Sequence, residues 1–178
     1  MRRKKSCVLL ERGSNGDSMR ILVISDTHRR TDRAVELLYE VAKNIDAVIH
    51  LGDNVEDANF IKKNFRLPIH VVAGNCDYGG NVPHEILLHA GGKRIFFTHG
   101  HYYDVRNNNI ETIAKRAAEV NADICLFGHT HIPNLQIQNG IIFFNPGSLS
   151  EPRGNSRPSY GIIKIDGDKI YPMALPYI

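Results

Sequence analysis

Ile21-Leu22-Val23-Ile24-Ser25-Asp26-Thr27-His28 joins four aliphatic residues directly to a polar cluster. A short apolar run of that kind reads as an interior strand, buried on both faces, that delivers polar side chains at its exit. Helical spacing follows. Ala34-Val35, Leu37-Leu38 and Val41-Ala42 predict a helix over about 31–43. Ala47-Val48-Ile49 predicts a second strand, residues 56–64 a short helix, and Ile69-His70-Val71-Val72 a third strand. This strand–helix–strand alternation implies right-handed crossovers and a largely parallel sheet.

After residue 83 the pattern changes. Glu85-Ile86-Leu87-Leu88 and Arg94-Ile95-Phe96-Phe97 flank Gly91-Gly92, which predicts a hairpin. A helix over about 108–120 precedes the strand Ile124-Cys125-Leu126-Phe127. Asn139-Gly140 and Asp166-Gly167 are two-residue turn signals between apolar runs. The expected architecture is one α/β domain over residues 19–178, with two sheets and helices outside them. Residues 1–18 lack periodicity and contain the connector Gly13-Ser14-Asn15-Gly16-Asp17-Ser18. They read as a flexible tail or an overextended start, with Met19 as the natural first residue.

Composition narrows the class. The 42% hydrophobic fraction of 178 residues supports one core without disulfides. Formal net charge is only +3, and Arg2, Arg3, Lys4 and Lys5 supply much of it. The nearly neutral remainder offers no broad nucleic-acid surface. Cys7, Cys76 and Cys125 are too few and too scattered for a disulfide framework or a thiolate zinc site. They fit a reducing compartment. With neither a signal peptide nor a membrane span in the sequence, a cytoplasmic location is expected.

Five polar clusters carry the chemistry, each after a predicted strand: Asp26-Thr27-His28, Gly52-Asp53-Asn54, Gly74-Asn75-Cys76-Asp77, His99-Gly100-His101 and Gly128-His129-Thr130-His131. Ligands of α/β sheets bind outside the carboxyl ends of strands, where such clusters converge. Asp26-x-His28 and His129-x-His131 are expected on extended segments, which would put each pair on one side. The glycines before Asp53, Asn75 and His129 are expected to let the backbone turn sharply and approach an ion. Carboxylate, imidazole and amide oxygen without thiolate suit Mn²⁺, Fe or Zn²⁺. A pair of ions needs a bridging oxygen, which a carboxylate offers and an imidazole cannot, so Asp53 is the candidate bridge. Single pairs of this kind are commonplace. His50, His70, His84 and His89 are read as ordinary core or surface histidines.

This ordered series resembles the calcineurin-like metallophosphoesterase superfamily. With Asn145-Pro146-Gly147-Ser148 and the chain length, it is similar to the small YfcE-like phosphodiesterases. The resemblance spans about residues 19–170 and implies a four-layer α/β/β/α sandwich of two mixed sheets. It assigns Asp26, His28 and His131 to one metal ion and Asn75, His99 and His129 to a second, with Asp53 shared. The metal implied is Mn²⁺, with Fe, Zn, Ni or Co as alternatives. Asp53, Asn75 and His99 are the residues tied most closely to catalysis. The implied substrate is a small phosphate ester, hydrolysed by a hydroxide generated between the two cations.

Where many members read Gly-Asn-His, this chain has Cys76, a poor general acid with an ordinary pKa near 8.5. A small packing role is favoured for it over a nucleophilic one. His101 and Arg153 are candidate substrate contacts, and Asp77 and Asp104 candidate orienters of ligating imidazoles. The competing class is a protein-interaction scaffold of the same fold, as in the retromer scaffold subunit. Complete ligation at His28 argues for the enzyme. An oligomer is compatible with either reading.

Overall fold

A computed structural model describes residues 5–10, 18–78, 80–106 and 109–178. The strands are β1 (Lys5–Leu10), β2 (Ser18–Ile24), β3 (Ala47–His50), β4 (Ile69–Val71), β5 (Glu85–Ala90), β6 (Lys93–Thr98), β7 (Ile124–Leu126), β8 (Asn134–Gln138), β9 (Ile141–Asn145), β10 (Ser159–Asp166) and β11 (Lys169–Pro176). The helices are α1 (Thr31–Val41), α2 (Val55–Asn64) and α3 (Glu111–Glu119), with 3₁₀ turns at Ala42–Asn44 and His101–Tyr103. The position 108 at which the last helix was expected to begin lies outside the described residues.

The strands form a five-stranded sheet, ordered β11-β10-β2-β3-β4, and a six-stranded sheet, ordered β1-β5-β6-β7-β9-β8. In the first, β2, β3 and β4 run parallel, and β10 and β11 add antiparallel. The strand–helix–strand segment is thus parallel as expected, and both sheets are mixed overall, since β5–β6 and β8–β9 of the second are antiparallel among parallel pairs.

Period-two alternation builds the layers. Ile21, Val23 and Ile49 from one sheet meet Ile95, Phe97, Leu126 and Phe144 from the other in one buried core. Residues on the opposite faces cover helices: Leu22, Ile24 and Val48 pack with Leu37 and Leu38 of α1 and Ile61 of α2. Phe96, Cys125 and Phe143 pack with Ile113 and Ala117 of α3. The result is the four-layer α/β/β/α sandwich.

Two sequence expectations need correction. Lys5–Leu10 is no flexible tail: β1 pairs in parallel with β5, from Lys5 opposite Glu85 to Leu10 opposite Ala90. Val8 and Leu10 pack against the inter-sheet core, and Lys5 Nζ lies 3.3 Å from the Glu85 carboxylate. The rest of the expected tail, residues 1–4 and 11–17, lies outside the described residues. The last turn sits at Gly167-Asp168 instead of Asp166-Gly167, because Asp166 still pairs with Lys169 in the ladder. The hairpins at Gly91-Gly92 and Asn139-Gly140 form where expected, with positive φ at all four residues.

Candidate metal centre

All seven predicted ligands converge at the strand exits. On one side, His131 Nε2 lies 3.2 Å from Asp26 Oδ1 and 3.4 Å from His28 Nε2, which is 3.8 Å from Asp53 Oδ2. These four residues each offer a ligand atom within 4.8 Å of the others. On the other side, His99 Nε2 is 3.5 Å from Asp53 Oδ1 and 3.1 Å from Asn75 Oδ1. The His129 ring centroid stands 5.1 Å from that of His99. Asp26 Oδ1 is buried and unsatisfied by hydrogen bonding, although ring nitrogens stand 3.2 Å and 3.9 Å away. A buried acceptor among imidazole nitrogens is what a cation would satisfy. The oxygen and nitrogen donor set fits a divalent transition metal.

The backbone reaches this geometry in an unexpected way. Asp26 (φ 55°), His28 (45°), Asp53 (55°), His129 (67°) and His131 (61°) are all left-handed, so neither x-spaced pair lies on an extended segment. Left-handed L-residues cost about 1–2 kcal/mol each and concentrate at functional sites. The adjacent glycines serve close approach as well as turning. A Cβ on Gly74 would stand 2.0 Å from Asp53 Oδ1, and one on Gly128 would stand 2.0 Å from Ser25 Oγ.

The family model for the calcineurin-like phosphoesterase superfamily domain matches residues 19–168. The chain belongs to that superfamily. "Probable metallophosphoesterase YsnB" of Bacillus subtilis (strain 168) is 33% identical over 150 residues, spanning 84% of this chain and 86% of its own. Phosphodiesterase YfcE of Escherichia coli (strain K12) is 33% identical over 115 residues, 58% of this chain and 55% of its own. Among solved structures, a predicted phosphoesterase from Streptococcus pneumoniae TIGR4 superposes with TM-score 0.78 at 32% identity, covering 90% of each chain. Vacuolar Protein Sorting 29 from Cryptosporidium parvum superposes with TM-score 0.75 at 21% identity, over 88% of this chain and 90% of its own. That last likeness shows the shared fold.

In this chain, backbone carbonyls orient the rings. His99 Nδ1 donates to Leu51 O at 2.8 Å, and His131 Nδ1 donates to Glu151 O at 2.5 Å. A carbonyl only accepts, so each Nδ1 carries its proton and the Nε2 atoms face inward. The carboxylates proposed for that task do something else. Asp77 accepts backbone N–H bonds from Asn54, Val55 and Gly74, clamping two ligand loops together. Asp104 is exposed and bonds no ligating imidazole among the described residues.

Sequence reasoning missed three supporting residues. Fully buried His50 accepts the Gly52 N–H at Nδ1 (3.2 Å) and meets Thr27 Oγ1 at Nε2 (3.0 Å), tying together the loops of Asp26 and Asp53. Burial lowers its pKa to about 4, against the raising effect of Asp57, Asp26 and Asp77. Ser25 donates to Asp26 Oδ2, and Ser148 to the Asp26 carbonyl. The only signal for His50 was its place two residues before Gly52.

Burial works to raise the Asp26 pKa, but the His131 ring beside it and the charges of His99 and His131 hold it well below the carboxylate range. His131 moves upward: burial opposes this, and Asp26 outweighs burial. Desolvation, then Asp53, push the Cys76 thiol up to about 11. That leaves little thiolate at neutral pH. His101 lines a cleft beside the centre, its ring 5.3 Å from His99 and 6.3 Å from His129. Arg153 is exposed outside that cleft, and its backbone N–H donates to His131 O at 3.3 Å. His84, expected to be ordinary, lines the same cleft, whereas His70 and His89 remain on β4 and β5.

Proposed function

We propose that this superfamily member is a metal-dependent phosphodiesterase with two divalent ions held by Asp26, His28, Asp53, Asn75, His99, His129 and His131. The observation that carries this reading is the posture of Asp53. Its Oδ2 faces His28 at 3.8 Å and its Oδ1 faces His99 at 3.5 Å, one oxygen toward each half of the ligand set. Mn²⁺ suits these donors, with Fe, Zn, Ni or Co as alternatives. When bound, such ions supply Lewis acidity that activates water at neutral pH and offsets charge on phosphoryl oxygens.

The protein's own groups then have limited tasks. Asp53 and Asn75 present oxygens, and the carbonyl-anchored imidazoles of His99 and His131 present nitrogens without reorganisation. Cys76, with its thiol near 11, contributes little as nucleophile or general acid at neutral pH. His101, kept neutral above about pH 4 by burial and by His99 and His129, offers one uncharged hydrogen bond to a substrate. Three free cysteines support a cytoplasmic setting, and no helix among the described residues is long and apolar enough to cross a membrane.

The scaffold reading is less favoured, because all seven expected ligands are present beside an open cleft. A screen of purified protein with Mn²⁺, Zn²⁺, Ni²⁺ and Co²⁺ against cyclic nucleotides and aryl phosphodiesters tests the proposal. Metal-dependent diester hydrolysis is expected. Absence of turnover with every metal would favour the scaffold.

A further inference from the structure

Glu85 opens β5 and is buried, yet its carboxylate draws donors from three other elements. The Tyr103 hydroxyl donates to Oε2, Arg116 of α3 donates from Nη2 to Oε1 at 3.0 Å, and Lys5 Nζ of β1 stands 3.3 Å from Oε1. Burial works to raise the Glu85 pKa, but Tyr103 and Arg116 outweigh it and hold the carboxyl below its ordinary value. Glu85 is therefore an anion at neutral pH. Buried ion pairs add little stability by themselves, because desolvation offsets the attraction. What this one supplies is a fixed acceptor.

Tyr103 carries that anchor to the metal centre. It closes the 3₁₀ turn His101–Tyr103, which begins two residues after His99. The Tyr103 N–H bonds Gly100 O at 2.8 Å, which closes the turn without fixing where it sits on the sheet. Asp104, the next residue, is left-handed at φ 50°, a conformation that persists only where the surroundings over-determine it. On the other side of His99, Thr98 Oγ1 donates to the His84 carbonyl at 2.9 Å. His99 is thus bracketed by two ties, from Thr98 and Tyr103, to the consecutive residues His84 and Glu85. We propose that Glu85 is a positioning residue for the metal centre, holding the turn behind His99 through the Tyr103 hydroxyl, an inference that rests on the two-ion reading above. It preorganises the half made by Asn75, His99 and His129. The half made by Asp26, His28 and His131 is held instead by Ser25, Ser148 and the Glu151 carbonyl.

Calorimetric titration of metal-free full-length protein with Mn²⁺ tests this in the wild type, Tyr103→Phe, Glu85→Gln and Arg116→Met. Tyr103→Phe keeps the ring against Phe96 and removes only the hydroxyl. It should weaken one of the two ions about tenfold, the low end of what lost outer partners of metal ligands cost, and spare the other. Glu85→Gln keeps an acceptor but loses its charge, so about a threefold weakening of the same ion is expected. Arg116→Met leaves the Tyr103–Glu85 bond in place and should lower Tm while keeping both affinities within about twofold of wild type. Unchanged isotherms in folded Tyr103→Phe and Glu85→Gln overturn the proposal, as does equal weakening of both ions or a loss in Arg116→Met as large as in Tyr103→Phe. Two ions in the wild type with no change in the variants refutes the positioning role alone. Fewer than two ions in the wild type refutes the two-ion reading and this inference with it.

Discussion

His131 Nε2 stands 3.2 Å from Asp26 Oδ1, an oxygen that is buried and unsatisfied by any hydrogen bond. The pair lies just beyond the ends of β2 and β7, so loops from two different sheets meet there.

Metal loading should therefore stabilise the fold. At a free Mn²⁺ concentration of 100 Kd, linkage supplies about 2.7 kcal/mol. At this chain length that is a rise in Tm of roughly 5–10 °C over chelator-treated protein. Asp26→Asn should lose most of the increment. Scanning calorimetry with and without Mn²⁺ decides, and identical curves would mean that no ion binds the folded state selectively.

Removing residues 1–10 should destabilise the domain while sparing turnover. Val8 and Leu10 pack on the inter-sheet core, and β1 covers the edge of β5. Losing two half-buried aliphatics and the Lys5–Glu85 contact costs about 1–2 kcal/mol, or roughly 2–8 °C. An unchanged Tm in the truncated chain would show that β1 contributes nothing to stability.

That strand marks a limit of what the sequence discloses. The interior strands were legible because Ile21–Ile24 and Ile124–Phe127 are apolar runs ending in polar clusters. In β1 the half-buried Ser6, Val8 and Leu10 alternate with exposed Cys7 and Leu9, so no apolar–polar contrast marks it. Its partner β5 begins only at Glu85, and pairing over such a separation leaves no local trace. The ligand clusters were likewise legible in type and order. The left-handed backbone at Asp26 and His131 was not, because Asp and His adopt positive φ too rarely for their presence to announce it. Nor was the role of His50, which depends on Thr27 being folded against it.

His50 should make stability pH-dependent. Burial, outweighing the raising effect of Asp57, lowers its pKa from 6.5 to about 4 on folding. The unfolded chain thus binds the proton first. Its contribution is whole above pH 6.5 and is lost as pH falls toward 4, at up to about 1.4 kcal/mol per unit. His101 shifts in the same direction, so the comparison needs a variant. Urea melts of metal-free protein at pH 7.5 and pH 5 should show a shallower loss in His50→Gln than in wild type. Equal losses would contradict the assignment.

Leaving-group quality should control rate, because a Cys76 thiol held near 11 is a poor proton donor at neutral pH. Aryl diesters should turn over far faster than alkyl esters. Cys76→His should improve the alkyl ester selectively, by some part of the ~10²–10⁴-fold that general acids provide. The comparison is kcat/KM for one aryl and one alkyl substrate in both proteins. Equal changes on the two would remove any acid role from this position, and a loss on both would mark Cys76 as a packing residue beside Asn75.

The shared role of Asp53 is the central claim, and Asp53→Asn tests it most directly. Mn²⁺ stoichiometry and turnover of bis-p-nitrophenyl phosphate should be measured at saturating Mn²⁺ in wild type, Asp53→Asn and His131→Ala. Two ions in the wild type are expected, with turnover at least ~100-fold lower in Asp53→Asn and a smaller loss in His131→Ala. Near-normal turnover with two ions bound in Asp53→Asn would contradict the bridging assignment.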